Sequence, residues 1–301
     1  MALDLKSVQK PFRKLGKLLK KFPGPPAPKD VHDVRTDTRR IEATVSAFQL
    51  DDKKIGKNLI KSLKPIRQAA GVVRDMDVLT DLAASLDPAG DGACRLQLIE
   101  HLAAHRKKAA ARMYRRVSVD EKTVRSLLKA CRKSAEGGLN AANSSKAKGK
   151  SIQKSRQKSS GAMAMSLEIE EELRDWPRLT SKNIHPFRLK VKELRNVLQL
   201  GQNSDAKVIA ELGDVKDQIG LWHDWNELAA VSSKVLDHGA GCPIAAQIRS
   251  RIKKELKKSL ESANAFRAQY LGSDLGRVLR RKRIVTELPQ ALVKATSRLA
   301  R

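Results

Sequence analysis

Aromatic, cysteine and acidic residues are all scarce in this sequence. Aromatic side chains make up only 3% of the 301 residues, so few are available to stack on nucleic-acid bases. The three cysteines, Cys94, Cys131 and Cys242, are too scattered for a disulfide framework or a cysteine-based metal clip. Only 33 Asp and Glu stand against 61 Lys and Arg, and the formal net charge is +28. Such an excess predicts a negatively charged partner.

Long hydrophobic runs are also missing. No stretch approaches the run of about 18 apolar residues that a membrane-spanning helix requires. Near the N-terminus, Lys and Arg interrupt the apolar residues, so the hydrophobic segment of a signal peptide is not expected. With free thiols typical of a reducing compartment, these features predict a cytoplasmic protein. The charge leaves three classes of polyanion as partner: nucleic acid, an anionic membrane surface and polyphosphate.

The hydrophobic pattern predicts helices along almost the whole chain. Apolar residues recur at intervals of three and four, and no run alternates with period two for long enough to indicate a strand. We therefore predict an all-α protein with helices long enough for bundles. After two helices in the first 50 residues, the predicted helices cover 52–85, 92–116, 120–136, 162–177, 184–200, 205–236, 243–271 and 274–298.

Residues 137–161 break this pattern. They are rich in Ser, Lys, Gly and Asn and contain several cations but no acid. This composition is typical of a mobile linker, and a basic extension that helps to hold a polyanion is the second interpretation. The predicted organisation is a first helical half at 1–136, a linker at 137–161 and a second helical half at 162–301.

The two helical halves repeat each other. Four short segments recur in the same order about 150 residues later. We therefore predict two four-helix bundles that arose by internal duplication and are related by a pseudo-twofold axis. The four pairs are Phe22-Pro23 with Trp176-Pro177, His32-Asp33 with His185-Pro186, Arg74-Asp75 with His223-Asp224, and Lys107-Lys108 with Lys257-Lys258.

The repeated helix carries stacked cations. In each half, one basic residue lies three positions after a histidine and another lies seven positions after it. Because a helix turns about 100° per residue, the histidine and these two basic residues lie on one face. Like charges on one face repel by about 1 kcal/mol per close pair in water, and few acids stand at the right steps to pair with them. A row of Arg and Lys is the natural receptor for a chain of phosphate oxygens. Together with the further cations Arg40 and Arg195, the candidate phosphate-binding residues are His32, Arg35, Arg39 and Arg40 in the first half and His185, Arg188, Lys192 and Arg195 in the second.

The matched spacing predicts one continuous basic channel between the two bundles. The channel hypothesis requires the two motif helices to face each other. The predicted flanking residues are Lys14, Lys17, Lys21, Lys107 and Lys257.

The paired motifs resemble those of the conserved histidine α-helical domain (CHAD) family. The resemblance covers almost the whole chain and implies a duplicated four-helix-bundle fold, polyphosphate binding and association with polyphosphate granules. It carries phosphate binding over to the eight residues of the two motif helices and to Arg74. The chain departs from the family at Glu42, where an arginine is common, and at Asn196, where an aromatic residue is common. No part of it resembles the CYTH triphosphatase domain to which some members are fused.

We expect a binding protein rather than an enzyme, without a cofactor or a bound metal. A metal-dependent phosphohydrolase is the first competing hypothesis, because His32-Asp33 and His223-Asp224 are HD dipeptides and His101 and His105 are four residues apart. Cations beside His32 would repel a divalent metal, and Asp75, Asp77 and Asp224 are expected to orient Arg or His side chains instead. A nucleic-acid binder is the second competing hypothesis. A scaffold held to granules or membranes by charge alone is the third.

Overall fold

The computed structural model describes residues 5–20, 27–47, 50–88, 92–147, 165–199, 205–237 and 241–271. These ranges contain helices and no strand, so the all-α prediction is confirmed. The predicted helix at 274–298 lies outside them. The helices are α1 (Leu5–Lys20), α2 (Pro28–Ala47), α3 (Lys54–Ala84), α4 (Gly92–Ala147), α5 (165–174), α6 (Ile184–Leu198), α7 (Ala206–Val235) and α8 (Pro243–Phe266), followed by a π-helical turn (Arg267–Leu271).

Two hydrophobic cores are each enclosed by four helices. The first core lies between α1, α2, the first part of α3 and the later part of α4, and it includes Phe12, Ile41 and Met113. The second lies between α5, α6, the first part of α7 and the end of α8, and it includes Leu173 and Phe187. Apolar side chains at helical spacing form both cores because burying them removes their surface from water.

A third core joins the two halves. The end of α3 and the start of α4 pack here against the end of α7 and the start of α8, around residues such as Leu98 and Trp225. Beside it, the backbone N–H of Asp87 donates to Oε1 of Gln247 at 3.0 Å. Nε2 of Gln247 donates to the carbonyl of Asp87, also at 3.0 Å. The halves are therefore connected by a shared core as well as by the chain.

Helix α4 is longer than the sequence pattern indicates. The predicted helices at 92–116 and 120–136 are one helix, because Val117 and Val124 continue its buried face without a glycine or proline between them. The helix also does not end at residue 136, as the predicted linker requires, but continues to Ala147. Residues 148–161 of the predicted linker lie outside the described ranges.

Candidate polyanion-binding site

The two motif helices, α2 and α6, contact each other, and α3 contacts α7. Helix α2 is anchored by Val34, Ile41 and Val45 in the first core. Helix α6 is anchored by Phe187 and Leu194 in the second core. Because each helix buries its apolar face in its own bundle, the cationic residues of both helices lie on their other faces.

In the first half, ion pairs connect the motif helix α2 to its neighbours α1 and α3. Nη1 of Arg35 lies 2.9 Å from Oδ1 of Asp75 on α3. Nζ of Lys14 on α1 lies 2.8 Å from Oδ1 of Asp33 on α2. The pKa of His32 is lowered by burial and then by the charge of Arg74. Elements α1, α2 and α3 thus contribute to one cluster.

In the second half, helix α7 makes room for two arginines of α6. Nε of Arg188 donates to the carbonyl of Lys216 at 2.9 Å. A Cβ added to Gly220 would lie 2.7 Å from Nη2 of Arg188. One heptad earlier, a Cβ on Gly213 would lie 3.3 Å from Nε of Arg195. The two glycines therefore match the seven-residue spacing of the two arginines.

Four arginines lie close together where α2, α3 and α6 meet. Burial, followed by the charges of Arg35 and Arg67 and that of Arg188, lowers the pKa of Arg39 to about 10. The pKa of Arg188 is lowered by burial, against the opposing charge of Asp224. With a pKa of about 10, Arg39 remains cationic at neutral pH. We call Arg35, Arg39, Arg67 and Arg188 the basic seam.

The basic seam includes an arginine that the sequence pattern did not single out. Arg67 precedes Arg74 by seven residues on α3, so its spacing is the same signal that identified the motif helices. Its Nε lies 3.0 Å from Oε1 of Glu42, and both side chains are less than a third exposed. Glu42, at which the chain departs from the CHAD pattern, therefore neutralises part of the charge beside Arg39.

The predicted flanking lysines differ in their surroundings. Lys14 and Lys17 line an open pocket of about 430 Å³ on α1 with Gln9, Lys10 and Arg13. Of these residues, Lys14 also contacts α2 through its ion pair with Asp33.

Several further predicted site residues are not brought to the basic seam by any contact of the described residues. Lys107 is exposed on α4. The Lys257 side chain is 80% exposed, and its Nζ lies 4.0 Å from Oε1 of Glu261 on the same helix. Arg40 is half-exposed beside Asp37, and Lys192 is partly buried on α6. Lys21 lies outside the described residues.

Two of the three aspartates that were expected to orient basic side chains pair directly with arginines. Asp75 pairs with Arg35, and Asp77 pairs with Arg106 on α4. Asp224 has a pKa raised by burial, against the opposing charge of Arg188. Within the described ranges, no group of three or more His, Cys, Asp or Glu side chains could hold a metal ion. No helix there is long and apolar enough to cross a membrane.

The family model of the CHAD domain matches residues 13–233. This range includes both motif helices and all four arginines of the basic seam, and the chain belongs to the CHAD domain family. No curated protein matches the chain significantly. The family that the paired motifs indicated is therefore confirmed.

Proposed function

We propose that this protein binds inorganic polyphosphate, without transforming it, along the basic seam between its two helical halves. The observation that carries the proposal is the position of Arg39, which is partly buried and lies near Arg35, Arg67 and Arg188; burial first and these charges second lower its pKa to about 10. Crowded, partly buried like charges cost free energy in the absence of an anion. A ligand that supplies closely spaced negative oxygens would relieve this cost, and guanidinium groups can grip two such oxygens at once.

The distribution of aromatic side chains favours polyphosphate over nucleic acid. Trp222 and Trp225 are buried in hydrophobic cores, with 7% and 4% of their surface exposed. They are therefore not placed to stack on bases, which contributes about 1–3 kcal/mol per base in proteins that bind single strands. Polyphosphate has no bases and needs only a row of donors.

The carboxylates next to the seam support binding rather than hydrolysis. Asp75 bonds to Arg35, and Asp224 lies beside Arg188. An acid that neutralises an arginine holds that arginine in place, whereas a metal-dependent hydrolase needs several acids and histidines that converge on one cation. This contrast distinguishes the proposal from the phosphohydrolase hypothesis.

The proposal also includes the domain organisation and the location of the protein. The first half extends past residue 136 to at least Ala147, since α4 continues to that residue. The second half includes α5–α8. A protein that binds long-chain polyphosphate would concentrate at polyphosphate granules, which a fluorescent fusion can show.

Calorimetry with long-chain polyphosphate and with single-stranded RNA of matched charge tests the proposed function. We expect polyphosphate to bind more tightly than RNA at the same salt concentration. We also expect no release of phosphate when Mg²⁺ or Mn²⁺ is added. Equal or tighter binding of RNA would favour the nucleic-acid hypothesis, and release of phosphate would establish the phosphohydrolase. Absence of heat with both ligands would contradict any specific polyanion site.

A further inference from the structure

The two halves differ in the group that lies beside the motif histidine. In the first half, the charge of Arg74 acts on His32. In the second half, the ring of His223 lies with its centroid 4.3 Å from that of His185. The sequence repeat aligns Arg74 with His223. A permanent cation in one half therefore corresponds to a titratable group in the other.

The histidine pair is partly exposed to solvent and lies near Arg188 of the basic seam. The His223 side chain is 34% exposed, and its Nε2 lies 3.9 Å from Oε1 of Glu227. On α6, Arg188 lies near enough to His185 to lower its pKa, after burial and the effect of His223. Within the described residues, Nδ1 of His185 is buried and has no hydrogen-bond partner.

Charged groups around this pair affect how readily His185 is protonated. Glu227 favours the protonated form of His185, while Arg188 opposes it. Burial raises the pKa of Asp224, which follows His223 in the chain, while the charge of Arg188 and, less strongly, that of His223 lower it. From the first half, Asp75 on α3 and Arg35 on α2 also act on Asp224, with opposite signs.

Resting on the proposed function, we propose that His223 is a further ligand-contact residue and forms, with His185, a phosphate subsite that takes up a proton when polyphosphate binds. Both rings are only partly buried, so each leaves part of its surface within reach of a phosphate oxygen. Protonation makes both nitrogens of a ring donors and adds a positive charge. The second half of the site thus acquires on binding the charge that Arg74 supplies permanently in the first half.

The direction of the pH dependence follows from linkage. Burial holds the pKa of His185 below its ordinary value in the free protein, so the ring is neutral at about pH 7. A bound polyanion raises that pKa, and the complex then holds more protons than the free protein. Affinity consequently rises as pH falls through the window between the free and bound pKa values, by at most about tenfold per pH unit for each proton taken up. Internal phosphates of a long chain stay singly charged across this range, so the ligand itself contributes little.

Calorimetry of long-chain polyphosphate in buffers with different ionisation enthalpies measures the proton uptake directly. We expect the wild-type protein to take up protons near neutral pH. His223→Arg, which copies the first half, should bind at least as tightly as the wild type at pH 8 and take up fewer protons. His185→Gln removes the ring whose pKa is lowered by burial, so this variant should also take up fewer protons and should bind more weakly.

A second histidine pair provides the matched control. The rings of His101 and His105 on α4 also lie 4.3 Å apart, yet they are outside both motif helices. The double variant His101→Gln, His105→Gln should keep the wild-type proton uptake. Polyphosphate binding without proton uptake, or undiminished uptake in both the His223→Arg and the His185→Gln variants, would overturn this inference and leave the proposed function intact. Absence of binding by the wild-type protein would instead contradict the proposed function.

Discussion

At the scale of the residue, two arginines of the second half are anchored against α7. Nε of Arg188 donates to the carbonyl of Lys216, and Nε of Arg195 donates to that of Ile209 at 3.2 Å. Within the described part of the chain, their Nη groups make no further hydrogen bond to the protein. One edge of each guanidinium thus fixes its position against α7, while the remaining donors are available for phosphate oxygens. Such anchoring lowers the entropy lost when a ligand binds.

Two glycines at corresponding positions test this anchoring. Replacing a helical glycine with alanine stabilises a helix by about 1 kcal/mol, and a Cβ on Gly71 would meet nothing within 4 Å. Gly71→Ala should therefore raise the free energy of unfolding by that amount. Gly220→Ala should gain nothing, because its Cβ displaces Arg188 and weakens a charged hydrogen bond that contributes about 1.5–3 kcal/mol.

Chemical denaturation and polyphosphate titration of the two alanine variants give the comparison. Gly71→Ala serves as the control and should bind polyphosphate as the wild type does. Gly220→Ala should bind severalfold more weakly. Equal gains in stability and equal affinities in the two variants would show that Arg188 is not held by the Gly220 position.

At the scale of the element, the periodicity of the sequence predicted the helices of the described ranges, except for the continuity of α4, and it placed the basic motif residues on α2 and α6. It was not sufficient to identify the partners of those residues. Arg35 and Asp75 are 40 residues apart, and spacing within a single helix carries no information about such a pair. The continuity of α4 was missed because Val117-Ser118-Val119 has low helix propensity, and packing of Val117 into the first core overrides it.

The sequence pattern also did not predict the third core, because the residues of this core come from four separate helices. Leu98 on α4 is fully buried there. Leu98→Ala should lower the free energy of unfolding by about 2–5 kcal/mol. Because this core contains residues of both halves, the two halves should still unfold in one transition. Leu96 on the same helix is 56% exposed, and Leu96→Ala is the matched control with an expected change within about 0.5 kcal/mol.

Denaturant titration followed by circular dichroism and tryptophan fluorescence checks the third core. Trp176 and Trp222 lie at the second core and Trp225 lies in the third, so the summed fluorescence follows the second half and its junction with the first, whereas circular dichroism follows all helices. Separate transitions for the two signals in the wild type, or equal losses of stability for the two leucine variants, would contradict a shared core that couples the halves.

At the scale of the whole molecule, a net charge of +28 makes affinity for any polyanion strongly dependent on salt. The sum alone does not distinguish a specific site from general attraction, since exposed lysines elsewhere would also draw in a phosphate chain. We instead expect the essential contacts at the basic seam, where α2 and α6 meet. Removing charge there must therefore have a different effect from removing the same charge elsewhere.

The most direct measurement is the dependence of polyphosphate affinity on salt concentration in matched charge-removal variants. Each phosphate contact contributes about 0.7 to the slope of log affinity against log salt for single-stranded polyanions. For Arg39→Gln combined with Arg188→Gln, we predict a slope smaller in magnitude by about 1.4 and a weaker affinity at every salt concentration. Lys122 and Lys129 are exposed on α4, and their replacement by Gln should leave the slope close to that of the wild type. An unchanged slope in the arginine variant, or an equal decrease in the lysine control, would contradict polyphosphate binding at the basic seam.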